Sequence, residues 1–175
     1  CDLPISPMID FTDRRALMAL LVTLAESAGD VVWRHFIAGC TVMHKADESP
    51  VTIADREAEA VILAGLATIT PAIPVVAEEE AAAGRLPDVA AAFFLVDPLD
   101  GTKEFVKRNG EFTVNVALVE RGRPIVGVVH VPATGVVYCG AEGVGAWKRT
   151  GGGPLARIAV QRPDRKSTRL NSSHV

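Results

Sequence analysis

Residues 97–105 read Asp-Pro-Leu-Asp-Gly-Thr-Lys-Glu-Phe and follow the apolar run Phe93-Phe94-Leu95-Val96. A short apolar run bounded by turn residues predicts a buried strand. Pro98 cannot continue a hydrogen-bond ladder, and Gly101 lets the backbone turn sharply, so Asp97 and Asp100 are expected where the strand breaks. Two carboxylates held on rigid backbone at a sheet edge are oxygen ligands for a hard cation such as Mg²⁺. A second acidic cluster has the same layout. Residues 73–77 (Ile-Pro-Val-Val-Ala) predict a short strand, and Glu78-Glu79-Glu80 follows its end. If the two strands are neighbours, Glu78, Asp97 and Asp100 converge. Three carboxylates in one pocket repel each other strongly unless cations stand between them. A multi-metal site is the economical explanation, and two-metal sites commonly serve phosphoryl chemistry. The plainer alternative makes Asp-Pro and Asp-Gly ordinary turn dipeptides and the Glu triplet a solvated loop.

These carboxylates need elements to hold them. The chain has 175 residues, about one domain's length. Its 49% hydrophobic and 22% charged residues allow a packed core. A formal net charge of −3 argues against nucleic-acid binding through a basic surface. An anionic substrate must then be drawn by local metals and basic residues. Leu17, Leu20, Leu21, Leu24, Ala28, Val31 and Val32 recur at helical spacing, with Glu26 and Asp30 between them. The pattern predicts an amphipathic helix over residues 13–36, although Arg14-Arg15 before an apolar stretch mimics a signal peptide. No apolar run reads as long enough to span a membrane. Thr52 with Asp55 three residues on forms an N-cap pattern that opens a helix over residues 54–69. Ala58, Val61, Ile62 and Leu66 share one face of it, and Pro71 follows its end.

Residues 112–119, 124–131, 135–139 and 144–148 read as strands. Helices first and an antiparallel meander after them predict an α+β layered domain. Cys1, Cys40 and Cys139 are odd in number and widely spaced, so neither a disulfide framework nor a zinc site is implied. His35, His44, His130 and His174 form no ligand pair at helical spacing. A reducing, cytoplasmic setting fits. Gly140, Gly143, Gly145 and the run Gly151-Gly152-Gly153 lack a following Lys-Ser or Lys-Thr, and predict turns rather than a phosphate loop.

Three separate stretches carry a family resemblance. Asp97-Pro98-Leu99-Asp100-Gly101-Thr102 is similar to the D-P-[IL]-D-G-T motif of the inositol monophosphatase superfamily. Glu78-Glu79 resembles the acidic pair that precedes that motif by about twenty residues. Ser49-Pro50-Val51-Thr52-Ile53-Ala54-Asp55 resembles the upstream S-P-V-T-x-A-D element. Lys103-Glu104-Phe105, and then residues 107–115, resemble the branch of 3′(2′),5′-bisphosphate nucleotidases of the CysQ type. The likeness covers roughly residues 14–160. It implies a layered α/β sandwich of the sugar-phosphatase type, here its N-terminal half with a mainly antiparallel sheet.

The resemblance also implies a site. Glu78, Asp97, the Leu99 carbonyl and Asp100 bind Mg²⁺, as two or three ions, with Li⁺ inhibition expected. The metals acidify a bound water and clamp phosphate oxygens. Thr102, paired with the Asp55 carboxylate, orients or deprotonates that water, and Glu78 belongs to the same catalytic set. Backbone N–H groups of Gly101 and Thr102 hold the phosphate, beside Glu78, Leu99 and Asp100. Glu79 supports the ligands from behind. Lys45 is either part of the site or a solvated loop charge. Attack is in line, with no phosphoenzyme. The implied substrate is the small-molecule nucleotide 3′-phosphoadenosine 5′-phosphate, a by-product of sulfate assimilation, giving AMP and phosphate. Alternatives are an inositol-phosphate or sugar-bisphosphate phosphatase, or a catalytically incomplete divalent-ion-binding fragment. No nucleic-acid partner and no transmembrane segment are expected; peripheral membrane association and oligomeric state stay open.

The ends of the chain differ from its middle. It opens at Cys1, and residues 161–175 carry almost no apolar content. Residues 1–12 are expected to be a non-native or disordered leader, and residues 161–175 a non-native or disordered tail similar to a translated adapter. Residues 13–160 are expected to be an incomplete N-terminal α+β phosphatase domain. Family members continue with a second half whose Trp-Asp motif completes the metal site, and this sequence has no Trp-Asp pair.

Overall fold

The computed structural model describes residues 13–39, 42–44, 50–88 and 91–160, with backbone alone at 42–44, 50 and 51. Helix α1 spans Arg14–Ala38 and is capped by Asp13, whose carboxylate accepts the Arg15 and Ala16 N–H groups at 3.1 and 3.0 Å. Strands β1 (Val42–His44) and β2 (Pro50–Thr52) pair antiparallel and lead into α2 (Ile53–Ile69). Strand β3 (Val75–Ala77) runs into a single helical turn, α3 (Glu78–Ala82). Strand β4 (Ala92–Asp100) is followed by α4 (Thr102–Val106). Strands β5 (Thr113–Glu120), β6 (Arg123–Val131), β7 (Val136–Ala141), β8 (Gly145–Arg149) and β9 (Ala156–Ile158) follow.

One seven-stranded sheet, ordered β3-β4-β5-β6-β7-β8-β9, carries the fold. Strands β3 and β4 are parallel and every later pair is antiparallel. Sheet alternation puts Phe94, Val96, Val114, Val116, Leu118, Val126, Val128 and Val137 on one buried face. Helix α1 covers β5, β6 and β7 on that face, and α2 packs against α1 and β4. Leu17, Leu21, Ala25, Ala28 and Val32, all 0% exposed, form the buried stripe of α1. His130 also points inward: its Nδ1 lies 3.2 Å from the Val136 carbonyl, and burial pushes its pKa down. Gly29 makes that approach feasible, because a Cβ there would stand 2.3 Å from the His130 ring. The opposite face of the sheet carries Leu95, Val129 and Tyr138, which are 50%, 39% and 39% exposed.

Several expectations are corrected. Strand β4 does not break at Asp97 but runs on to Asp100, because a register shift between Asp97 and Asp100 absorbs Pro98 as a bulge. The strand expected over residues 73–77 is only Val75–Ala77, and the Glu triplet opens a helical turn rather than a loop. Helix α4, strand β9 and the β1–β2 pair were not legible: each is three to five residues, too short for a period to show. The sheet is mixed by virtue of its β3 edge, within the expected α+β arrangement. Helix α1 does have the length and hydropathy to cross a membrane, its best window averaging 1.5 despite the interrupting acids. Here it is the core helix of the sheet.

Candidate active site

The parallel register of β3 and β4 pairs Ala77 with Val96. The next residue on each strand is acidic, so Glu78 and Asp97 leave the same end of the sheet side by side. Their carboxyls share a hydrogen bond. Burial, then the charge and hydrogen bond of Glu78, then the charge of Asp100, push the Asp97 carboxyl up to about 7. Asp97 Oδ1 also accepts the Leu99 N–H at 3.2 Å, which fixes the bulge. Leu99 buries its side chain, and its carbonyl accepts the Thr102 hydroxyl at 3.0 Å.

Asp55 belongs to both fold and site. It is the third residue of α2, and its Oδ2 accepts the Thr52 N–H and the Thr52 hydroxyl, each at 2.7 Å, closing a capping box. Its Oδ1 is left to face the other way and accepts the Thr102 hydroxyl at 3.2 Å. Burial raises the Asp55 carboxyl and the hydrogen bonds from Thr52, Thr102 and its own N–H pull it back down; burial wins. The expected Asp55–Thr102 contact is therefore present, across 47 residues of sequence.

Gly101 makes the turn between β4 and α4 at φ 94°. A Cβ there would stand 2.8 Å from the Glu111 carbonyl oxygen, so the position excludes every other residue on two grounds. Gly101→Ala is expected to destabilise the chain by about 1–3 kcal/mol and to displace Asp100 and Thr102. Urea unfolding of both proteins checks the first effect, and an unchanged midpoint would remove the strained turn from the account. Below the turn, Phe105 packs edge-on against Phe112, and both rings contact Phe36 of α1. The Arg108 guanidinium lies 4.5 Å from the Phe36 ring centroid and donates to the Phe36 carbonyl. These contacts tie the acidic turn to the last turns of α1.

The sequence reading missed two supporting residues. Glu59 sits one turn after Asp55 on α2, is 3% exposed, and accepts the Glu79 N–H at 2.8 Å. It pins the start of α3, and therefore Glu78, to α2. Burial first, and then the charges of Glu79 and Glu80, raise its carboxyl. Its signal was an acid on the apolar face of α2, between Ala58 and Ile62. Asn115 is the second; its amide N–H reaches Asp100 Oδ2 at 3.0 Å. Glu79 is half-buried beside these groups. Lys45 lies outside the described residues.

The acidic groups are linked pairwise. Among the described residues, no three Asp, Glu, His or Cys side chains close into a ready cage for one ion. The donors at the strand ends are all oxygen, and burial together with two like charges pushes the Asp97 carboxyl up. That donor set fits a hard divalent cation, which would relieve the repulsion.

A family model described as the inositol monophosphatase family matches residues 13–175. The 3′(2′),5′-bisphosphate nucleotidase CysQ of Escherichia coli O157:H7 is 51% identical over 127 residues, 71% of this chain and 51% of that protein. The crystal structure of CysQ from Bacteroides thetaiotaomicron, a bacterial member of the inositol monophosphatase family, is 39% identical with a TM-score of 0.65, over 81% of this chain and 51% of that one. A Thermotoga maritima IMPase is 28% identical with a TM-score of 0.72, over 85% of this chain and 55% of that one. The chain thus spans about half the length of the curated relatives it matches.

Proposed function

This chain belongs to the inositol monophosphatase family, and from that premise we propose that it serves cation-dependent hydrolysis of a phosphate monoester, the 3′-phosphate of 3′-phosphoadenosine 5′-phosphate. AMP and phosphate are the products, and the small nucleotide is handled in the cytoplasm. The observation that carries this reading is the Thr102–Asp55 contact set beside the Glu78, Asp97 and Asp100 carboxylates. The CysQ relatives support the substrate class.

Glu78, Asp97, the Leu99 carbonyl and Asp100 are the groups to hold Mg²⁺, which when bound polarises phosphate oxygens and acidifies a water. The protein's own residues do the rest. Thr102 has one hydroxyl proton and two acceptors, Asp55 Oδ1 and the Leu99 carbonyl. Donating to Asp55, it keeps its oxygen lone pairs for the attacking water. The water proton passes to the Thr102 oxygen as the hydroxyl proton passes to Asp55. Burial makes Asp55 a stronger base than a solvated carboxylate. Asp55 Oδ2 stays engaged by Thr52, so the base does not turn away. The Gly101 and Thr102 N–H groups open α4, where helical N–H groups lack intrahelical partners, and serve the phosphate oxygens.

The test is phosphate release from 3′-phosphoadenosine 5′-phosphate, inositol 1-phosphate and fructose 1,6-bisphosphate, each with Mg²⁺ and with chelator. The nucleotide is expected to lead, and only with Mg²⁺. Preference for either of the other esters would move the protein to a sister hydrolase. The oxygen donors of Glu78, Asp97 and Asp100 would serve a second reading equally, a divalent-ion-binding fragment without turnover. Cation uptake with no phosphate release from any ester would select it.

A further inference from the structure

We propose that Asn115 is a positioning residue for Asp100: its amide locks one carboxylate of the cation site, at the expense of its own hydrogen bonding. This role rests on the cation site proposed above and extends it to β5. Asn115 stands opposite Asp97 in the β4–β5 register, on the exposed face of the sheet. Its Nδ2 donates to Asp100 Oδ2 at 3.0 Å. The bulge takes up Pro98 and Leu99, and Asp100 rejoins the ladder opposite Thr113, two residues before Asn115, which brings the Asn115 amide to its carboxylate. The amide cannot turn over without pointing its oxygen at a carboxylate.

The other half of the amide is not matched: Asn115 Oδ1 is buried and has no hydrogen-bond partner among the described residues. An amide whose buried oxygen is unmatched disfavours the fold, whereas an apolar side chain of similar size would not carry that penalty. Most of the neighbours would accept such a replacement: Asn115 lines a trough of about 350 Å³ with Leu95, Ala117, Gly127 and Val129, and Asp97 is the one charged group among the described residues on its wall. The apolar part of that wall gives no reason for an amide here. Among the described residues its side chain hydrogen-bonds Asp100, so stability and site geometry pull this position in opposite directions.

That opposition gives a test a purely structural residue would fail. Mn²⁺ alone is titrated into the chain at low micromolar concentration, with free Mn²⁺ read by electron paramagnetic resonance. Asn115→Leu and Asn115→Ser are compared with the parent, and Tm is measured for each without metal. Groups that orient metal ligands are worth about 10- to 100-fold in affinity, so both variants are expected to bind Mn²⁺ at least ~10-fold more weakly. The Tm of Asn115→Leu should equal or exceed the parent's. A lower Tm with Mn²⁺ affinity unchanged would make Asn115 structural and overturn the role. The Ser variant decides the point if the Leu variant does not fold. A parent chain that takes up no Mn²⁺ would overturn the cation site itself, and this role with it; the flat parent titration distinguishes that result from an unaltered variant.

Discussion

Asp97→Asn should lower cation-dependent phosphate release by more than about 100-fold while leaving the chain folded, since orienting groups behind a metal ligand alone carry about 10- to 100-fold. The substitution is close to isosteric. An amide oxygen can still accept the Leu99 N–H that fixes the bulge, so the turn survives. What disappears is the charge between Glu78 and Asp100. Without a cation that loss relieves repulsion, so the metal-free variant should melt no lower than the parent. With Mg²⁺ present the parent should gain stability by binding, and the variant should gain far less. Retention of the parent's Mg²⁺-dependent rate would show that Asp97 is a buried structural acid and not a ligand.

The same residue gives this result a pH signature. In the unfolded chain Asp97 releases its proton near its ordinary 3.8, whereas in the fold it keeps the proton to about 7. Between those values the unfolded state binds fewer protons, so the free energy of unfolding falls as pH rises. In chelator the parent's Tm should drop from pH 5 to pH 7.5. Asp55 and Glu59 are also raised by burial and slope the same way. Asp97→Asn should therefore make the decline shallower, not flat.

Where the sequence carried long periods, it determined the fold legibly. The stripe from Leu17 to Val32 and the Thr52–Asp55 cap marked α1 and α2 to within two residues at each end, because one apolar face must meet the sheet. The antiparallel strands followed from alternation and glycine turns. Strand β4 escaped because Pro98 breaks hydrogen bonding locally, yet the sheet tolerates it as a bulge. The extent of β4 therefore depends on its pairing with β5, which no local pattern encodes.

The candidate site divides in the same way. The neighbourhood of Glu78 and Asp97 was deducible, since acids at the ends of two adjacent strands must meet if the strands pair in register. The partner of Thr102 was not deducible from spacing; it came from the motif resemblance, and the geometry rests on Asp55 using its two oxygens in opposite directions. Glu59 and Asn115 were hidden for one reason. Each looks ordinary on its own element, one acid on a helix and one amide on a strand, and only the tertiary packing shows what each holds.

Thr102→Ala should lower kcat by about 10²- to 10⁴-fold with KM nearly unchanged, the range for losing a positioned proton-transfer group. The reasoning starts from one hydroxyl. Thr102 bridges Asp55 Oδ1 at 3.2 Å and the Leu99 carbonyl at 3.0 Å, and so ties Asp55 to the acidic turn. Removing it costs stability on the order of one ordinary hydrogen bond, about 0.5–1.5 kcal/mol, too little to unfold the protein. Asp55 remains in place because its cap to Thr52 is untouched. The cation ligands and the Gly101 turn also remain, so substrate should bind as before. What is lost acts only as the water is deprotonated, and such a loss falls on kcat and on kcat/KM alike. Thr102→Ser keeps the hydroxyl and should recover most of the rate. Asp55→Asn should be about as damaging as Thr102→Ala, and the double variant hardly worse than either, because two groups in one relay fail together. Fully additive losses would separate Asp55 from Thr102, and an unchanged kcat in Thr102→Ala would remove the hydroxyl from the chemistry altogether.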